Sequence, residues 1–388
     1  MSSELDPILA APDDDAPRLV WADQVGGERG ELVVVQCALA RSDLPRVDRK
    51  RLVTREAELL QRAWTFSDLP ASVRGTWVRG FVEVISLEVR DQAVSERLFE
   101  FAPLCRAVEL RDSESINSFI GPRADEAWAG LRDQLARAFA RLPPGRLTGL
   151  SWSASIQESG DWNDPGITHR FGDEFLALVA ATPALSALRE LRVYDGDLTI
   201  AAAPHLATLP SLHTLVGKMK VTGAEAVSLL TRFPNLVHFA PWSSGLSGPH
   251  LETLLASGVA ARLVELDLNG NGLGPTDVQR LGSCDALGAL RRLGLGYAST
   301  RHVAPLADGQ ALRSLEGLAL SGVPVVDLST LGRAPFAPSL RTLIASSATV
   351  TARDALTLAR LPRLEHLAVE VGDRSVRDAL GAIPRLVT

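Results

Sequence analysis

Residues 263–273 read LVELDLNGNGL, and the phrase that opens this stretch, L-x-x-L-x-L, sets the reading of the chain. It recurs as LRELRV (188–193), LHTLVG (212–217), LVHFAP (236–241), LRRLGL (290–295), LEGLAL (315–320), LRTLIA (340–345) and LEHLAV (364–369). The eight starts lie 24, 24, 27, 27, 25, 25 and 24 residues apart. Side chains alternate across a strand, so the first, fourth and sixth positions point inward and the third, fifth and seventh outward. Between the phrases lie polar or Gly-rich turns, then stretches such as GAEAVSLLTRFP (223–234) and TARDALTLARLP (351–362). Their apolar spacing and late Pro predict short helices. No single unit can bury its own apolar face, so the units must stack.

This pattern resembles the leucine-rich repeat family over at least residues 188–388. The resemblance implies an α/β fold: a solenoid in which a curved parallel sheet is backed by helices. Asn271 stands where that family places an Asn whose side-chain amide bonds the backbone of the turn leaving the strand. Weaker copies, VISLEV (84–89), CRAVEL (105–110) and LTGLSW (147–152), extend the array to about eleven units over 81–388. The long gaps between the starts at 105, 147 and 188 read as insertions near 112–125 and 153–171, rich in Gly, Ser, Asp and Pro.

Residues 1–80 do not repeat and read as helices near 3–11, 16–25, 29–42 and 46–66. The phrases PDDDAPRLVWAD (12–23) and RGELVVVQ (29–36) resemble the repeat-companion domain of myxobacteria, planctomycetes and other large-genome bacteria. One departure is the short QVGGE at 24–28. The resemblance implies a small all-α domain, and the physical role open to it is to cap the apolar edge that the first strand of the array would otherwise expose. Asp13, Asp14 and Asp15 read as a helix-start signal.

Composition narrows the function. The net charge of −6 disfavours a nucleic-acid partner. No apolar run is long enough to cross a membrane and no secretory leader is evident, which predicts a cytoplasmic protein. The seven His, at 169, 205, 213, 238, 250, 302 and 366, show no metal-ligand spacing. Cys37, Cys105 and Cys284 read as small buried hydrophobes. Phosphate-loop and serine-elbow motifs are absent. No cofactor, metal or catalytic residue is expected.

What remains is the outward strand face. Arg192, Tyr194, Lys218, His238, Trp242, Glu265, Asp267 and Asn269 are expected there in four neighbouring units, with Trp162 flanking them in the second insertion. Aromatic and Arg residues dominate interface hot spots, which makes this a candidate partner-binding face. Trp242 has a second reading, as a ring folded down over Pro241. Glu265 and Asp267 read as a cation site or as an acidic spot facing a basic partner. The small residues at 294, 296, 317, 319 and 321 either let a partner approach closely or reflect tight curvature. The expected function is a non-enzymatic protein–protein interaction scaffold. The alternative is a regulator, inhibitor or substrate of a partner enzyme.

Overall fold

A computed structural model describes residues 4–41, 43–62, 73–89, 97–112, 124–142, 144–154, 171–298, 303–323 and 327–387. The chain forms two compact units, residues 1–167 with 181–188, and residues 168–180 with 189–388.

The first unit opens with four helices, α1 (Asp6–Ala10), α2 (Asp15–Val25), α3 (Gly27–Ala40) and α4 (Arg46–Arg62), close to the predicted spans. The acidic run is used residue by residue. Asp14 caps α2 by accepting the Ala16 N–H at 2.9 Å. Asp13 pairs with Arg106 at 2.8 Å and Asp15 with Arg79 at 3.1 Å. Ile8, Trp21, Ala22, Val33 and Cys37 of these helices bury against Phe81 and Leu104.

Two strands follow, β1 (Arg74–Val78) and β2 (Phe81–Glu88), paired antiparallel. The hairpin between them was not foreseen from the sequence. Its turn is made by Arg79 and Gly80, both at positive φ (48° and 82°). Glycine is required at 80 because a Cβ there would lie 2.2 Å from Val33 Cγ2. The Gly80 N–H donates to Gln36 Oε1 at 2.6 Å. Strands β3 (Ala107–Asp112) and β4 (Gly149–Ala154) then extend the sheet in parallel. One helix, α5 (Ala124–Ala140), lies between them in sequence, and its Trp128 packs 5.7 Å from Trp152. Both predicted insertions fall mainly on residues 113–123 and 155–170, outside the described residues, as does Trp162.

Among its described residues the second unit carries nine strands, each parallel to the next: β5 (Glu190–Thr199), β6 (Thr214–Lys220), β7 (His238–Trp242), β8 (Glu265–Asp267), β9 (Arg292–Gly294), β10 (Gly317–Ala319), β11 (Thr342–Thr349), β12 (His366–Glu370) and β13 (Arg385–Val387). The first eight begin two residues after the repeat starts. The fourth- and sixth-position side chains are buried as the alternation requires, for example Leu191, Val193, Leu266, Leu268, Leu343 and Ala345. After β12 the chain forms a short helix, α6 (Arg374–Leu380), and then β13, which the three-residue RLV did not signal.

Side chains tie each repeat to its neighbour. Asn271, 4% exposed, accepts from the Ser244 and Leu246 N–H groups at 2.9 and 2.8 Å and donates to the Pro241 carbonyl at 2.9 Å. This is the bonding implied for that position. Helices α7 (Pro275–Ser283) and α8 (Ala352–Arg360) are anchored alike. Asp277 accepts from Gly274 N–H at its own helix start and from Gly248 N–H one repeat back, at 3.1 and 3.0 Å. Asp354 caps α8 through Thr351 and accepts the Ser329 N–H at 2.7 Å.

Among the described residues no helix is long and apolar enough to cross a membrane. Cys37 and Cys105 are buried, and burial pushes both thiols up to about 12, far from the thiolate form that nucleophilic chemistry needs.

Candidate functional site

The outward residues of β5 to β8 form one continuous patch within the second unit. Strand register aligns Glu190, Thr214, His238, Glu265 and Arg292 in one row, and Arg192, Val216 and Ala240 in the next. Tyr194 and Trp242 come from strands two apart, yet their rings stack, with centroids 5.4 Å apart and planes 29° from parallel. A stacked pair of this kind is a stable arrangement for two partly exposed rings. The strand between them, β6, contributes Val216, which is 3% exposed although it points outward. Tyr194 remains 37% exposed. Trp242 is half-buried, its ring packed on Tyr194 across β6, and the pair presents a partly exposed aromatic surface.

Tyr194 stands where β5 departs from regular pairing, between Val193 and Leu198. The irregularity also buries Asp197 completely, where its two carboxylate oxygens meet Lys218 at 3.6 Å and Lys220 at 3.1 Å. Lys218 is therefore committed to a buried carboxylate. Nothing in the spacing of the repeats signalled Asp197.

Most other polar residues expected here satisfy one another. Arg192 lies 3.5 Å from Glu190, and Glu265 lies 3.1 Å from Arg292. Such exposed pairs contribute little to stability. His238 Nδ1 is 3.0 Å from Thr214 Oγ1. Burial lowers the pKa of His238, with Arg292 and Arg192 acting in the same direction and Glu265 and Glu190 against it. The net shift favours the neutral ring.

Asp267 and Asn269 lie back across the sheet. Asn269 donates its N–H and its Nδ2 to Asp267 at 3.0 and 3.1 Å and accepts the Gly296 N–H. Burial raises the Asp267 pKa, while the indole of Trp242 and the Asn269 N–H favour its anion and Glu265 disfavours it. These two side chains explain two of the small residues. A Cβ at Gly294 would lie 2.2 Å from Asp267 Oδ1, and one at Gly296 2.2 Å from Asn269 Oδ1. Neither reading of the small residues from sequence anticipated this.

No family model matches the chain, and no curated protein matches it. Among solved structures, the chain is similar to an internalin, InlF, from Listeria monocytogenes, at 14% identity, covering 76% of this chain and 69% of that one with a TM-score of 0.37. It is similar to yeast Rad7, crystallised with Elc1, at 13% identity over 96% of each chain and a TM-score of 0.45. A third similarity is to TLR13 in a complex with ssRNA13, at 17% identity, 70% of this chain, 33% of that chain and a TM-score of 0.31. What decides the fold is the chain's own geometry: parallel strands at each repeat phrase, inward leucines, and an Asn271 that bonds the preceding turn. The chain has a leucine-rich repeat-type fold. Within it the aromatic pair sits at the seventh repeat position of two alternate repeats, on the face left open by the inward leucines.

Proposed function

We propose that this chain is a non-enzymatic protein–protein interaction module of bacterial, cytoplasmic origin. Its N-terminal helices act as a repeat-companion domain over residues 1–80, and its repeats, over 81–388, present the outward face of β5 to β8 to a folded protein partner. The Tyr194–Trp242 stack carries the reading. Two aromatic rings from separate repeats converge on a partly exposed surface, amid polar side chains already satisfied by each other. Such a surface loses little side-chain entropy on binding and supplies apolar contact. Arg192 and Lys218 are paired with Glu190 and Asp197, which leaves little unbalanced positive charge for a nucleic acid and supports a protein partner instead.

A Tyr194→Ala/Trp242→Ala variant tests this. Because Trp242 is half-buried and stacked on Tyr194, some fall in melting temperature is expected, so affinities are compared at a temperature where both proteins are fully folded. A partner captured from native lysate and then purified should bind the variant about 30-fold more weakly, on the order of 2 kcal/mol. Equal affinity for both proteins would overturn the assignment of this face.

A further inference from the structure

Beside the aromatic pair, the outward face from β8 to β12 encloses a groove of ≈ 310 Å³. Four carboxylates, Glu265, Asp267, Glu316 and Glu365, and two guanidinium groups, Arg292 and Arg341, line it. Three of the carboxylates have cationic partners: Glu265 with Arg292 at 3.1 Å, Glu365 with Arg341 at 3.1 Å, and Glu316 with Arg291, outside the lining, at 3.2 Å. Asp267 differs. Its contacts are the Asn269 N–H and amide, and among the described residues no Lys or Arg lies within ion-pair distance of it. Trp242 adjoins it, and the indole N–H there is buried without a full hydrogen bond. Gly294, Gly317 and Ala319 also line the groove, with the Asp267 carboxylate leaning over Gly294 and the Arg292 stem over Gly317, so Asp267 faces the groove volume from its wall.

We propose that this groove receives an arginine or lysine side chain from an extended segment of the protein partner, its cation paired with Asp267 and an adjoining apolar residue resting on Tyr194 and Trp242. The inference rests on the interaction reading above and names the chemistry of the partner. Charge complementarity selects this occupant. The groove holds one carboxylate more than its guanidinium partners neutralise, and that carboxylate is half-buried, where a cation is most effective. The aliphatic stem of Lys or Arg fills the groove volume while its head reaches the carboxylate, and Arg adds a bidentate geometry.

The test uses the full chain and fluorescein-labelled nonapeptides of repeated Gly-Pro-Arg, Gly-Pro-citrulline and Gly-Pro-Glu, read by anisotropy at physiological salt. The Arg peptide should bind at least about tenfold more tightly than the neutral citrulline peptide. Asp267→Asn should remove about tenfold of that binding, whereas Asp378→Asn, the same charge change at an exposed site on α6, should leave it intact. The sign of the Asp267 shift argues against loss of fold in Asp267→Asn. A raised folded-state pKa means that stability present below the ordinary aspartate range, about 4, is lost as pH rises through the folded value. Asp267→Asn is thus expected to keep or raise the melting temperature at pH 7, an advantage that fades as pH falls through that range. Equal binding of the Arg and citrulline peptides overturns the proposal, as do equal losses in the two variants and absence of Arg-peptide binding up to about 1 mM. A protein partner lost by Tyr194→Ala/Trp242→Ala but fully retained by Asp267→Asn would overturn the groove's role while leaving the interaction reading intact.

Discussion

Arg18→Met is expected to destabilise the first unit by about 3–5 kcal/mol, the usual consequence of removing one member of a buried ion pair. Arg18 is fully buried, and its guanidinium donates to Glu83 at 2.6 Å, to the Pro12 carbonyl at 2.7 Å and to the Arg79 carbonyl at 3.4 Å, while lying 5.4 Å from the centroid of the Phe81 ring. Glu83, 3% exposed, also meets Arg106 at 3.2 Å. One network therefore joins α2, the β1–β2 hairpin and the start of β3. Methionine fills the volume of the stem but leaves Glu83 short of its closest cation and the Pro12 carbonyl without a donor. Arg18→Met/Glu83→Met should recover a large part of the loss, because replacing both charges by apolar groups removes the stranded carboxylate. Urea unfolding combined with hydrogen exchange across α2 measures both variants. A loss below about 1 kcal/mol in the single variant would mean that the helices do not depend on this pair.

Asn271→Ala should lower the stability of the second unit by about 3–4 kcal/mol, since each buried polar group left unpaired costs about 1–3 kcal/mol. The variant strands the N–H groups of Ser244 and Leu246 and weakens the satisfaction of the Pro241 carbonyl. Ser244 and Leu246 lie in the turn that follows β7, immediately after Trp242. The largest gain in amide exchange should fall on residues 243–247, and Trp242 should become more exposed. Uniform exchange across the unit, with a stability change under about 1 kcal/mol, would show that the turn holds itself.

How much of this was legible in the sequence depends on the kind of interaction. Leu191, Leu215, Phe239 and Leu266 occupy equivalent positions in successive repeats, and a periodic apolar pattern fixes strand position and facing without further information. Asn271 and the cap at Asp14 were legible because one residue type at one position has a local backbone partner. The hairpin of β1 and β2 was not, because its turn depends on Val33 and Gln36, more than forty residues earlier in the chain. β13 offered three residues and no period.

At the candidate site, the spacing of repeats placed Tyr194, Trp242, Lys218 and His238 on one face but did not show what they touch. The stacking of Tyr194 on Trp242 arises from rings leaning across an intervening strand. The pairing of Lys218 with Asp197 arises from the irregularity in β5. The lie of Asp267 over Gly294 and of Asn269 beside Gly296 arises from side chains crossing to the next repeat. Each is a contact between repeats, and a reading that treats every repeat as the same unit does not contain it.

The most direct test of the central claim is a hydrogen–deuterium exchange footprint of the full chain with and without its purified protein partner. Protection is expected on residues 190–198, 214–220, 238–246 and 265–271, the strands and turns that carry Tyr194, Lys218, Trp242 and Asp267, and it should vanish with the Tyr194→Ala/Trp242→Ala variant. Protection confined to helices α1 to α4, or to the helices of the second unit, would contradict the account.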